Sequence, residues 1–171
     1  MMGDDRTREQ AFRLLVKTYQ ERLYWHIRRM VVEHDDANDV VQNTFIKVFR
    51  SIGKFKGDSK LYTWLYRIAT NESITFINKK KKVVATSIDD EDLGLDRALK
   101  ADSYFDGDDA TAQLKAAIAT LPEKQQLVFN MRYYDEMSYQ DISDVLGTSV
   151  GALKASYHHA AKKIEHFLKG H

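Results

Sequence analysis

The chain has 171 residues, 43% hydrophobic and 30% charged, with a formal net charge of +1, a balance that suits one globular domain or two small ones with a modest core. It has no cysteine, which excludes disulfides, thiolate zinc sites and a cysteine nucleophile. No apolar run approaches the ~18 residues of a membrane span, and residues 1–10 are charged without an apolar stretch, so neither membrane insertion nor a signal peptide is expected and the location is expected to be cytoplasmic.

One proline and eight glycines predict a mostly helical chain. Phe12, Val16, Tyr19, Leu23, Ile27 and Met30 recur at steps of three and four, one face of a long amphipathic helix. His34-Asp35-Asp36 interrupts it, and the acids suit the positive end of a second helix. There Val41, Phe45, Val48 and Ile52 form the inward stripe. Asp39, Gln42, Asn43 and Ile46 share another face, which serves either as solvated surface or as a docking strip for a protein. Residues 51–57 are a glycine-bounded loop with Lys54, Phe55 and Lys56, after which Asp58 or Ser59 is expected to cap a third helix. Leu61, Leu65 and Ile68 are its expected core positions. Tyr62, Trp64, Tyr66, Arg67, Asn71 and Asn78 crowd the remaining turns, and Lys79, Lys80, Lys81 and Lys82 close the helix at its negative end. Rings that stack on bases, amides that read base edges and cations that hold phosphates are what unpaired nucleic acid requires. Aromatic stripes at helical spacing are, however, core more often than not.

Residues 83–109 hold nine acids against Arg97 and Lys100, net −7, with knots at Asp89-Asp90-Glu91-Asp92 and Asp106-Gly107-Asp108-Asp109. No apolar period runs through them, so they are expected to form a flexible acidic linker. Residues 1–82 are then net +7 and residues 110–171 net +1. The near-neutral total averages over a strongly basic first part.

Beyond the linker, Leu121-Pro122 starts a helix with Leu127, Val128 and Met131 inward. Ser138-Tyr139-Gln140-Asp141 resembles a capping box, followed by Ile142, Val145 and Leu146. Gly147-Thr148 turns the chain, and Ser149 caps a longer helix with Leu153, Tyr157, Ala160, Ile164 and Phe167 or Leu168 inward. This is a helix-turn-helix pattern. Its outward residues Gly151, Lys154, Ala155, His158, His159, Lys162 and Lys163 suit a major groove. His158 and His159 point about 100° apart on a helix, and His26, His34, His166 and His171 form no ligand pattern, so no metal or other cofactor is expected. No phosphate-binding loop, nucleophile elbow or zinc-protease signature is present, which points away from an enzyme and from a small-molecule substrate.

Three blocks in order carry a family likeness. Asp36-Ala37-Asn38-Asp39-Val40-Val41-Gln42-Asn43-Thr44-Phe45 resembles region 2.2 of extracytoplasmic-function (ECF) sigma factors. Phe55-Lys56-Gly57-Asp58-Ser59 with Tyr62-Thr63-Trp64-Leu65-Tyr66-Arg67-Ile68-Ala69-Thr70-Asn71 resembles their regions 2.3 and 2.4, and the stretch from Leu121 through Ser138-Tyr139-Gln140-Asp141-Ile142 to Lys154 resembles region 4. The resemblance implies an all-α protein of two small helical domains, a region 2 bundle over 1–82 and a region 4 helix-turn-helix over 110–171, joined by the linker 83–109. It implies a bacterial initiation factor that binds core RNA polymerase through the β′ clamp helices and the β flap. Such a factor reads promoter DNA as duplex at −35 and as melted strand at −10, and is held inactive by an anti-sigma factor. A stand-alone helix-turn-helix regulator is the alternative, and it leaves the aromatic-lysine helix and the Gln42 face without a purpose.

By position, the resemblance assigns polymerase binding to Asp36, Asp39, Gln42, Asn43 and Ile46. The −10 surface is Phe55, Lys56, Ser59, Lys60, Tyr62, Trp64, Arg67 and Asn71, with Trp64 kept partly in the core; the −35 surface is Ser149, Lys154, Ala155, His158, His159 and Lys162. Many family members carry arginine-rich turns after the position of Lys154, whereas this chain has Ala155-Ser156-Tyr157-His158-His159, a weaker cationic grip. The linker is expected to thread the polymerase near its active-site and RNA-exit channels, and in the free chain the two domains are expected to pack together or to be clamped by the anti-sigma factor.

Overall fold

A computed structural model describes residues 2–86 and 108–170. Among them the chain forms α1 (Met2–Val31), α2 (His34–Ser51), a 3-10 turn (Ile52–Lys54), α3 (Leu61–Ala85), α4 (Asp109–Ala119), α5 (Glu123–Tyr133), α6 (Tyr139–Leu146) and α7 (Val150–Lys169), with no strand. None of these helices is long and apolar enough to cross a membrane. The first acidic knot and most of the stretch read as a linker lie outside the described residues. Its two ends are helical. α3 continues to Ala85, and Asp108 caps α4 by accepting bonds from the Thr111 amide (3.0 Å) and hydroxyl (2.7 Å). The Thr111 hydroxyl, then its amide, hold the Asp108 carboxyl below the ordinary range.

α1, α2 and α3 bury Leu23, Ile27, Val40, Val48, Leu65, Tyr66 and Ala69 in a core that does not stop at the first unit. Met131 of α5, Met137, Ile142 of α6 and Leu153 of α7 belong to the same cluster, so the two units are packed together. A second cluster ties α4 to α7 through Ala117, Ile118, Leu121, Phe129, Ala160 and Ile164. Phe167 packs against it while Leu168 is exposed, which settles the alternative left open by the period.

Two local expectations fail. Neither Asp58 nor Ser59 caps α3: the cap position falls on Lys60, in extended conformation, with no side-chain cap bond. The Thr63 hydroxyl instead donates back to the Lys60 carbonyl (2.8 Å). Leu61 and Ile68 are only half-buried, while Leu65, Tyr66, Ala69, Thr70 and Ser73 are buried. The reason is that α3 packs against α1 and α2 on one side and α6 on the other, so its buried surface is wider than one amphipathic stripe.

The helix-turn-helix forms as its residues dictate. The Ser138 hydroxyl accepts from the Asp141 amide (3.1 Å) and the Ser149 hydroxyl from the Ala152 amide (3.2 Å). Gly147 ends α6 at φ +71°, donating its N–H to the Ser143 carbonyl (2.8 Å). A Cβ at Gly147 meets nothing within 4 Å, so only backbone strain opposes a side chain there. Gly147→Ala is therefore expected to lower the unfolding free energy by about 1 kcal/mol, read by urea denaturation. A loss well above that would mean the turn is crowded.

Candidate nucleic-acid and polymerase interfaces

The outer face of α2 is open. Asp39, Gln42, Asn43 and Ile46 are exposed together, Ile46 at 48%. Phe49, one helical step beyond Ile46 and 43% exposed, extends this strip, an apolar addition the sequence reading missed although the i, i+3 spacing pointed to it. The Arg8 guanidinium sits 5.2 Å from the Phe49 ring and donates to its carbonyl (2.8 Å). Asp36 is less available: half-buried, it accepts from Lys80 Nζ (2.6 Å), which ties the end of α3 to the start of α2.

The α3 face is mixed. Phe55 is half-buried against Trp64, ring centroids 5.1 Å apart, and Trp64 also packs on the core, as expected of it. Lys56 and Asn71 are exposed and Ser59 is half-buried. Lys60, Tyr62 and Arg67 face the second unit. Lys60 Nζ (3.3 Å) and the Tyr62 hydroxyl both donate to the Asp141 carboxylate, and Arg67 donates through Nε (3.1 Å) and Nη2 (2.6 Å) to the Asp144 carbonyl.

Tyr66, one of the rings the sequence left open between base-stacking and core, is fully buried. Its hydroxyl donates to Asp135 Oδ1 (3.2 Å), which also accepts from Arg29 Nη2 (2.8 Å). Burial first, and then the Asp135 charge, push the Tyr66 hydroxyl well above the ordinary phenol value, so it remains a donor. His26 completes the group. Its Nε2 pairs with the Thr70 hydroxyl (2.8 Å) and its Nδ1 lies 3.4 Å from Asp135 Oδ2. His26 and Asp135 were not legible as partners, because 109 positions apart they share no local pattern.

On α7, Ser149 caps the helix and Lys154, Ala155, His158, His159 and Lys162 all lie exposed along it. Lys154 Nζ is 5.9 Å from the Tyr139 ring, which supports its stem from within the same unit. The −35 residues inferred from the sequence therefore form one open face. The −10 residues are brought together too, but Tyr62 and Arg67 are half-buried against the second unit, while Lys60, although bonded to Asp141, stays exposed.

Fold and surface define a two-unit, all-helical protein whose second unit carries a helix-turn-helix and whose first carries an aromatic-basic helix. Residues 15–83 match the Sigma-70 region 2 family and residues 111–164 match Sigma-70, region 4. The chain is 34% identical to RNA polymerase sigma-H factor of Pseudomonas aeruginosa, over 98% of this chain and 89% of that one. It is 31% identical to ECF RNA polymerase sigma factor SigW of Bacillus subtilis, over 94% and 90%. Among solved structures, the sigma factor RpoE in complex with the anti-sigma factor NepR from Bartonella quintana superimposes with a TM-score of 0.74 at 22% identity, over 94% of this chain and 98% of that one. CnrH in complex with the cytosolic domain of CnrY gives 0.69 at 21%, over 95% and 90%. The chain belongs to the ECF sigma factors.

Proposed function

We propose that this chain is a transcription initiation factor that docks on core RNA polymerase through α2, reads melted −10 DNA with α3 and holds duplex −35 DNA with α7. The observation that carries the reading is the separation of two open faces of different chemistry. One is an acid, amide and apolar strip on α2; the other is a lysine-histidine face on the second helix of a helix-turn-helix. The first suits a protein surface and the second a major groove. Polymerase carries out the bond-making chemistry, so the chain needs no catalytic site and no cofactor of its own, and it acts in the cytoplasm where polymerase works. The acidic linker suits a path through polymerase lined for nucleic acid. That the sigma factor RpoE was solved in complex with the anti-sigma factor NepR supports an anti-sigma factor as the regulating partner. The β′ clamp helices for α2 and the β flap for the second unit are the polymerase elements this assignment names.

Run-off transcription with purified core polymerase on a panel of the organism's promoters tests this. Promoter-specific transcripts that appear only with the chain added are the expected result. A chain that footprints an operator unaided and never binds core polymerase is an ordinary regulator. Lys154→Ala is expected to weaken −35 duplex binding by roughly 1–2 kcal/mol while leaving core affinity unchanged, measured by fluorescence anisotropy and by holoenzyme assembly. Equal loss in both assays would refute the division of labour between α2 and α7.

A further inference from the structure

The open face of α7 carries two kinds of basic side chain, lysine at 154, 162 and 163 and histidine at 158 and 159. A lysine keeps its charge through neutral pH, whereas histidine is the side chain that ordinarily titrates between about pH 5 and pH 8. His158 and His159 are both exposed, with ring centroids 6.0 Å apart. Lys154 lies one turn before His158 and Lys162 one turn after it. Lys163 stands one turn after His159 and reaches Gln125 (3.2 Å).

The acids of the neighbouring elements are turned elsewhere. α7 packs against α4, α5 and α6. Asp109 of α4 accepts from Gln113 (3.4 Å), and Glu123 of α5 accepts from Lys81 (2.6 Å). On α6, Asp141 takes Lys60 and Tyr62, and the Asp144 carboxylate accepts from Gln140 (3.1 Å). In the turn before α6, Asp135 holds Arg29 and Tyr66, while Glu165 on α7 itself accepts from Lys169. The cations of these elements, Lys115, Lys124 and Arg132, bring no counter-charge. Among the described residues neither histidine ring is hydrogen-bonded or ion-paired to a carboxylate. The counter-charge that a protonated ring needs is what a nucleic-acid backbone supplies.

We propose that His158 and His159 are proton-dependent cations of the DNA-reading face: each takes up a proton as its ring meets a phosphate or a guanine edge, so duplex affinity falls as pH rises through the histidine range. The inference rests on the reading of α7 as the −35 face. An anion beside an imidazole favours its protonated form, and the proton comes from solvent. The bound rings hold protons that the free rings have lost, so this part of the affinity is present at low pH and lost as pH rises. The two side chains point about 100° apart, which lets one ring enter the groove while the other meets the sugar-phosphate backbone. Arginine at these positions is cationic at every pH; histidine makes the grip of the second unit conditional.

The test follows binding of the full chain to a fluorescein-labelled duplex spanning the −35 region of a promoter that the chain directs in the run-off panel. Anisotropy is read at about pH 6 and about pH 8 over a range of salt concentrations. The unaltered chain is expected to bind about tenfold more tightly at the lower pH. Its salt dependence is expected to be steeper there, because protonated rings displace additional counterions. His158→Arg with His159→Arg is expected to bind as tightly at the higher pH as at the lower, and His158→Gln with His159→Gln to bind weakly at both. Equal affinity of the unaltered chain at the two pH values overturns the proposal and leaves the reading of α7 intact. A pH dependence that survives in both double variants places the proton on another group, such as His26, His34 or His166, and overturns the proposal as well. Absence of duplex binding at either pH overturns the reading of α7 and the proposal together.

Discussion

Ile27→Ala is expected to lower the unfolding free energy by about 3 kcal/mol, the usual cost of a cavity at a fully buried isoleucine. Ile27 is 0% exposed and belongs to the cluster that runs from α1 through α3 into Met131, Met137 and Ile142 of the second unit. A void there removes contacts that hold each unit and the packing between them, so the loss is expected as an earlier urea midpoint, with both units affected. Ile46→Ala is the matched control. At 48% exposure it leaves little cavity and is expected to change stability by under about 0.5 kcal/mol. An Ile27→Ala chain as stable as the control would mean that the shared core is not formed.

Asp39→Ala combined with Gln42→Ala is expected to lower affinity for core polymerase by about a hundredfold, roughly 3 kcal/mol, with stability nearly unchanged. Both residues are exposed on α2, on the strip that continues through Ile46 and Phe49. Truncating polar groups at the centre of a docking strip leaves partner groups unpaired, and such residues carry most of an interface's energy. Holoenzyme assembly measured against −35 duplex binding separates this from a folding defect: only the first is expected to fall. If polymerase affinity is unmoved, the docking surface lies elsewhere on the chain.

Much of the helical scaffold was readable because burial of one face imposes a period of three and four. The stripe through Leu23 and Ile27, the capping hydroxyls of Ser138 and Ser149 and the turn at Gly147 are all local consequences of residue type. The exposed face of α7 was readable for the same reason, since the complement of a buried stripe is an outward one. The start of α3 was not. Asp58 and Ser59 are good capping residues, yet the helix begins one residue later and without a side-chain cap, because Lys60 and the first turn of α3 are held by bonds to a distant helix. Nor was it legible which of the α3 rings is core, and Tyr66 proves to be fully buried. A helix packed on two sides has no single period to report, and the second side comes from residues that lie beyond the linker.

Amino-acid order by itself determined six of the seven helices among the described residues, Asp109–Ala119 being the one not read from it, together with the helix-turn-helix, the opposite charges of the first unit and of residues 83–109, and the blocks that carry the family likeness. All of these depend on neighbours within a few turns or on simple sums over a segment. Only the tertiary structure decided that Asp135 and Asp141 lie on the basic face of the first unit, and that Lys60, Tyr62 and Arg67 spend their bonds there. Those pairs are separated by 77 to 106 positions, so they become neighbours only when α3 and α6 close over a common core. The physical reason is that apolar burial brings the two units together without regard to charge, and the positions of single donors and acceptors then determine which surfaces the closed chain conceals.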